Sequence, residues 1–500
     1  MPGASDRIVG MYIHEGWPYK HPYAARTWTL EDWQGYADGL KKIGYNMVAI
    51  WPALETMPDP LTPSDLAHIE MTAKVIDMLH GEFRVFLTLC PNTVVNNQVA
   101  SRYNFEERYF YASSAYLNPA DPAGVGKMIK WREELLRPLA GMDGLAIIDS
   151  DPGGYPGSTN DQFVNLLMEH RRMLNRLRPG IELCYWMHVG WQAYCRYYAT
   201  GNFAWGTPAE AEDVLTKLKK ADPSPWRITI HTKDAPPNGT DLQLAQRMGL
   251  AANSLAFNYG AIEGEPSFPM THFGGSAAFH AGGAGAPGGV VGNAQTHCVQ
   301  LPNTFAFARG AMGQPISEAD YVHFADELLA GQGQMLVRAW QALTGTDPNR
   351  MRAMVGNLQS LRGEDLVPGR LKGLLFGSPQ RFVSDLIHEL VMQAAYLDLV
   401  AASKDVVDKE KFRAFLTATE EWQGIHGYQT VWLWPRMAEV LKKLKSPAID
   451  RLLVEADYSK AQSQTTGKTP FERHQDFFRQ WDDYTPRLIA AMEEALKMMD

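Results

Sequence analysis

Short apolar blocks rich in β-branched and aromatic residues alternate, over the first part of this chain, with stretches whose apolar residues recur at helical spacing. Eight such blocks stand out: RIVGMYIH (7–14), NMVAIWP (46–52), FRVFLTLCPN (83–92), GLAIIDSDPGG (144–154), IELCYWMHVGW (181–191), WRITIHTKD (226–234), SLAFNYG (254–260) and GVVGNAQTH (289–297). Strands alternating with helices in this way predict βα units around a parallel sheet, and eight of them let the sheet close. The first helical stretch, TLEDWQGYADGLKKIG, has Thr29 placed to cap it, Leu30, Trp33, Tyr36, Ala37 and Leu40 on one face, and Gly44 to stop it. A second helix is expected from Pro63 to His80. Two loops are longer than a connection needs: the aromatic NFEERYFYASSAYLNPADP after strand three, and the glycine-rich IEGEPSFPMTHFGGSAAFHAGGAGAPGG after strand seven.

Beyond about residue 310 the strand pattern ends and helical stretches take over, among them SEADYVHFADELLAGQGQMLVRAWQALTG, PQRFVSDLIHELVMQAAYLDLVAAS and YTPRLIAAMEEALKMM. The fold expected is therefore an α/β chain in two parts: a (β/α)8 TIM barrel over 1–310 and an all-α domain over 311–500, behind the barrel.

Reactive groups of such a barrel come from the C-terminal ends of its strands. Polar residues finish almost every block. Strand one ends in His14 and Glu15, followed by Trp17; strand two in Trp51 and then Glu55; strand three gives Asn92; strand four Asp149 and Asp151. Strand five supplies Trp186, His188 and Trp191; strand six His231; strand seven Asn258 and Tyr259, then Glu263 and Glu265; strand eight Asn293. Indole, imidazole, amide and carboxylate together suit a polyhydroxylated ligand, whose hydroxyls need directed partners while its ring faces need apolar cover. Fourteen Trp, twenty Tyr and fourteen His supply the material.

The sharpest local signal is IIDSDPGGYPG. Asp149 and Asp151 are two apart, which in an extended chain puts both on one face, here taken to be the barrel mouth. Two carboxylates that close repel in a desolvated pocket, so one should stay protonated while the other ionises. The same residues could instead fix the PGGYPG turn. Glu15 and Glu55 could equally be rim salt-bridge residues, and Glu263 and Glu265 solvated loop charges.

Charge and cysteine content remove other classes. A net charge of −9 with scattered Lys and Arg argues against nucleic acid, and no apolar run is long enough for a membrane span. Four dispersed cysteines with no CxxC pair indicate neither a zinc site nor a disulfide framework. No phosphate cradle is seen, and no cofactor or metal is expected. MPGASDRIVG lacks a basic segment followed by an apolar run, so a cytoplasmic protein is expected, or an exported one whose signal has been removed.

In these segments, above all GNAQTHCVQLPNTFAFARGAMGQPISEADYVHFADELLAGQGQMLVRAWQAL and residues 7–92, the chain resembles TIM-barrel glycoside hydrolases with a helical C-terminal domain, of the α-glucuronidase and α-N-acetylglucosaminidase type. The Asn-Glu pair that many retaining barrel glycosidases carry on strand four is absent, and Asp149 and Asp151 stand in its place. The resemblance implies glycosidic bond hydrolysis by a pair of carboxylates at the barrel mouth, drawn from Asp149, Asp151, Glu263, Glu265 and Glu55, on an oligosaccharide or glycoside. Two other classes stay open: a metal-dependent barrel isomerase or amidohydrolase using His14, His188, His231 and an Asp as ligands, and a carbohydrate-binding barrel without catalysis.

Overall fold

The computed structural model describes residues 7–16, 19–150, 153–222, 226–231, 240–258, 286–294, 300–403, 406–427, 441–456, 467–479 and 484–499. Its strands in chain order are β1 (Ile8–His14), β2 (Met47–Trp51), β3 (Arg84–Leu89), β4 (Thr93–Val95), β5 (Ser114–Tyr116), β6 (Gly144–Ile148), β7 (Glu182–Trp186), β8 (Arg227–His231), β9 (Ser254–Asn258) and β10 (Gly289–Ala294). All except β4 and β5 close into one parallel barrel in the order β1-β10-β9-β8-β7-β6-β3-β2. The eight blocks read from the sequence are its eight staves. The short β4 and β5 pair antiparallel as a hairpin inside the segment expected to be an aromatic loop.

Local chemistry sets the helix ends. Thr29 accepts from the backbone N–H of Asp32 while Asp32 accepts from that of Thr29, a reciprocal cap, and the helix Leu30–Ile43 ends at Gly44 in the left-handed region. Thr62 and Asp65 repeat the device at the start of Pro63–Leu79.

Side chains of a strand alternate between the barrel interior and the surrounding helices. Parallel register carries that choice from stave to stave. Tyr12 lies in the interior, its ring edge-on to Trp186 at 5.1 Å and to Phe257 at 5.8 Å. Ile148 is the register partner of Trp186, and Trp51 that of His14, so these face inward as well. At the opposite, N-terminal end Glu182 binds Arg84 at 2.8 Å and Arg227 at 2.7 Å, closing the base with charge.

The helices beyond the barrel are not confined to its back. The backbone N–H of Lys20 donates to the carbonyl of His426 (2.9 Å), and the ring of Tyr23 lies 4.4 Å from that of His426, so the helix Lys409–His426 grips the loop after β1. Phe471, on the helix Pro470–Arg479, packs against Tyr116, Tyr155 and Tyr198. Tyr116 ends β5, in the segment that leaves stave β3, and Tyr155 and Tyr198 follow β6 and β7, so this helix too sits at the end where the staves finish.

A buried ion pair ties these loops to the barrel wall. Arg108, fully buried, binds Asp65 through both nitrogens of its fork and also donates to the carbonyls of Ala100 and Thr56. Removing one partner of such a pair leaves an uncompensated buried charge, which costs about 3–5 kcal/mol. Asp65→Ala is therefore expected to lower the free energy of unfolding in urea by that amount; a loss below about 1 kcal/mol would mean that the carbonyls alone hold Arg108.

Candidate active site at the barrel mouth

Parity sorts the expected site residues into two groups. His14 and Trp51 face inward side by side, ring centroids 4.4 Å apart, and Phe110 packs on Trp51 at 4.6 Å. The backbone N–H of Gly16 donates to His14 Nδ1 at 2.8 Å, so the neutral ring carries its proton on Nε2. Any side chain at Gly16 would put its Cβ 2.3 Å from His14 Cε1. The local turn thus sets both the position and the tautomer of His14. Trp186, the last residue of β7, is 4% exposed, wedged between Tyr12 and Phe257, and its Nε1–H has no acceptor among the described residues. Asn293, on β10, is buried and is the register partner of Tyr12.

Two carboxylates expected at the mouth are turned the other way. Asp149 follows the inward Ile148 and therefore points outward into the helix layer, lining a cleft with Tyr185, Val214 and Asp241. It is 1% exposed and its oxygens are occupied. Oδ1 accepts from Ser150 Oγ (2.9 Å) and from the backbone N–H groups of His188 and Gly190 (both 3.1 Å), while Oδ2 accepts from the Tyr185 hydroxyl (3.1 Å). Ser150 Oγ accepts the N–H of Val189 between them at 3.0 Å. Asp149 and Ser150 thus bind the whole turn that carries His188. Burial raises the Asp149 pKa, opposed by the nearby His188 and by these hydrogen bonds. Glu15 follows the inward His14 and likewise turns outward, among Trp33, His68 and Val75, with His68 Nε2 at 3.4 Å from its Oε2.

Glu55 lies behind the mouth. Its Oε1 accepts from the Cys90 N–H (2.6 Å) and its Oε2 from Trp51 Nε1 (3.2 Å), so it aims the indole that borders His14. Burial raises its pKa, with Arg132 opposing. Arg132 fastens the turn after β3 by donating to the carbonyls of Cys90, Pro91 and Thr93, and its Nη1 lies 2.6 Å from His170 Nε2. Burial and then Arg132 push the His170 pKa down to about 3, keeping that ring neutral. Asn92 is a tie as well, donating to the carbonyls of Leu117 and Gly154 at 2.8 and 2.9 Å.

Trp191 does not offer a face to a ligand. It is 2% exposed, stacked on Phe163 at 4.9 Å, with Nε1 donating to Thr159 O. His188 is half-buried on the turn held by Asp149. His231 and Asn258 end β8 and β9. Trp17, Asp151, Tyr259, Glu263 and Glu265 lie outside the described residues.

Tyr12 and Phe257 complete the aromatic floor without having been singled out from the sequence. Their signal was there in the alternation: Tyr12 stands two residues before His14, and Phe257 is in register with His231. Among the described residues, no group of three His, Cys, Asp or Glu is placed to hold a metal ion.

No family model matches the chain, and no curated protein matches it. Solved structures similar to it include a GH138 enzyme targeting pectin rhamnogalacturonan II (9% identity, 94% of this chain, 66% of that chain, TM-score 0.46). Others are a GH5_18 enzyme from Streptomyces cattleya in complex with GlcNAc (11% identity, 71% of this chain, 91% of that chain, TM-score 0.32) and the N-acetylneuraminate lyase of Aliivibrio salmonicida (11% identity, 77% and 97%, TM-score 0.31). This chain spans just under two thirds of the length of the first. Identities this low bring no activity with them, so its chemistry rests on its own residues.

The outward Asp149 generates a two-part prediction. Asp149→Ala strips acceptors from two buried hydroxyls and two part-buried N–H groups, which at about 1–3 kcal/mol per orphaned buried group is expected to lower stability by at least about 3 kcal/mol. A carboxyl whose pKa is raised on folding contributes stability that is present below its unfolded pKa of about 4 and lost as pH rises through the folded value. Thermal melts from pH 4 upward should therefore show a decline in the wild type that is shallower in Asp149→Asn. Parallel profiles would contradict the assignment.

Proposed function

We propose that this protein is a glycoside hydrolase that takes its sugar in the barrel mouth, between the His14–Trp51 pair and the Trp186–Tyr12–Phe257 floor. One observation carries the reading: a buried indole N–H, that of Trp186, has no acceptor among the described residues at the end of the barrel where reactions take place. An unpaired buried donor is costly to keep, and a ligand oxygen relieves the cost. Flat aromatic walls with a few directed N–H donors suit a ring bearing hydroxyls. A resemblance of residues 7–92 and of the segment from Gly292 to Leu343 to barrel glycosidases with helical C-terminal domains points the same way.

Hydrolysis needs one carboxylic acid to protonate the leaving oxygen and a second carboxylate to attack the anomeric carbon or to activate water. Asp149 is committed to its turn, and Glu55 to Cys90 and Trp51. The reacting pair in this proposal is Asp151, three residues after β6 in the chain, with Glu263 or Glu265 from the segment after β9. Asp149 and Glu55 act as positioning residues, the first for the His188 turn and the second for Trp51.

Activity on a panel of aryl glycosides tests this, because a good leaving group reports on the nucleophile independently of the acid. Asp151→Asn and one of Glu263→Gln and Glu265→Gln should each lose about a hundredfold or more in turnover, the range for losing acid or base assistance. Wild-type protein inactive on every glycoside, or all three variants retaining near wild-type turnover, would refute the proposal. Trp186→Phe supplies a separate check. It should weaken sugar binding about tenfold while leaving the melting temperature unchanged or raised, since it removes an unpaired buried donor.

A further inference from the structure

We propose that the rim beside β7 is a second carbohydrate-binding surface: Tyr194, Phe203, Trp205 and Phe471 form an aromatic platform for sugar units of an oligosaccharide or polysaccharide beyond the one in the mouth. The occupant assigned to it rests on the glycosidase reading above.

The helix Trp191–Thr200 starts from the His188–Gly190 turn, just after β7, and a second helix, Pro208–Ala221, follows it before β8. Two of its tyrosines, Tyr197 and Tyr198, are buried and pack on each other at 5.5 Å, forming a backing layer. In front of that layer the chain turns at Gly201 and presents Phe203, which is 48% exposed. Its ring stands edge-on to Tyr194 at 5.8 Å and to Trp205 at 6.3 Å. On the other flank Phe471 packs on Tyr198 at 5.1 Å and prolongs the row of rings.

A half-exposed phenyl ring on a loop ordinarily comes with a loose backbone, but this one does not. The N–H of Gly206 donates to Val189 O at 2.8 Å, and Gly190 and Gly206 approach so closely that a Cβ on Gly190 would meet Gly206 Cα at 3.0 Å. Arg196 donates to Trp205 O at 3.2 Å and pairs with the Glu210 carboxylate. The ring is thus held out on a fixed backbone, which lowers the ordering cost of anything that stacks on it. The apolar surface is a single row of rings bordered by Arg196, Asn202 and Glu210. That suits a strand of pyranose rings with hydroxyls at the edges better than the broad apolar core of a protein interface. Gly206, at the foot of the loop that carries these rings, is bonded to the same turn that places His188, so the row stands beside the segment leaving β7.

Native gel electrophoresis through a panel of soluble neutral and acidic polysaccharides tests the platform, with hydrolysis of aryl glycosides followed on the same samples. At least one polysaccharide should retard the wild-type protein and the control Leu66→Ala, a half-exposed residue on an outer helix. Phe203→Ala and Trp205→Ala should each weaken that retardation about five- to tenfold in apparent Kd, the scale of one lost stacked face, with Phe203→Ala melting like wild type. Equal retardation of all four proteins, or none for the wild type, would overturn the platform. So would a dimer in sedimentation that Phe203→Ala dissociates, which would make a second copy the occupant. Retardation that depends on Phe203 in a protein without glycosidase activity would sustain the platform and refute the hydrolase reading; hydrolysis with equal retardation would do the reverse.

Discussion

A strand in a closed parallel barrel has only two faces, and the register between staves fixes one choice for all of them. From Tyr12, whose ring meets Trp186 and Phe257 across the interior, that choice passes to His14, Trp51 and Ile148. One residue further along, Glu15 and Asp149 are turned outward between barrel and helices. The character of the mouth follows: imidazole and indole face the opening, while two of the carboxylates that sequence placed there are built into the wall.

Those inward and outward residues work together. Three successive N–H groups, of His188, Val189 and Gly190, end on Asp149 and Ser150 rather than on water, so the turn after β7 is fixed from behind. The same turn holds Gly206 and with it the Phe203 loop. Glu55 does for Trp51 what Asp149 does for His188, and Arg132 fixes the neighbouring turn through three carbonyls. A charge buried in this way is expensive in isolation, but each carboxylate here receives at least two donors, which is the condition for keeping it. Precise placement of the aromatic walls is what this polar scaffold supplies.

Much of the fold was legible because the apolar blocks and the caps are local signals. Thr29 and Gly44 bound a helix by their own hydrogen bonds and backbone preference, and all eight blocks became staves. Which way a polar residue points after a strand ends is not local. The two-residue spacing of Asp149 and Asp151 puts them on one face only while the chain stays extended, and β6 stops at Ile148; which way Asp149 points depended on register with Trp186 on another stave. Trp191 looked like a strand-end aromatic because the apolar run IELCYWMHVGW does not reveal that β7 stops at Trp186 and a helix begins at Trp191. The placement of the C-terminal helices against the segments after staves β1, β3, β6 and β7 was illegible for the same reason: contacts such as Tyr23 with His426 join residues hundreds of positions apart.

The central claim is that the mouth, and not the cleft around Asp149, is where a sugar binds. A crystal structure of the protein soaked with a monosaccharide that inhibits it addresses this most directly. The account predicts a sugar ring against Trp51 or Trp186, with an oxygen within about 3.2 Å of Trp186 Nε1 and Asp149 still bound to the His188–Gly190 turn. A sugar lodged in the outer cleft with Asp149 released to contact it would contradict the account.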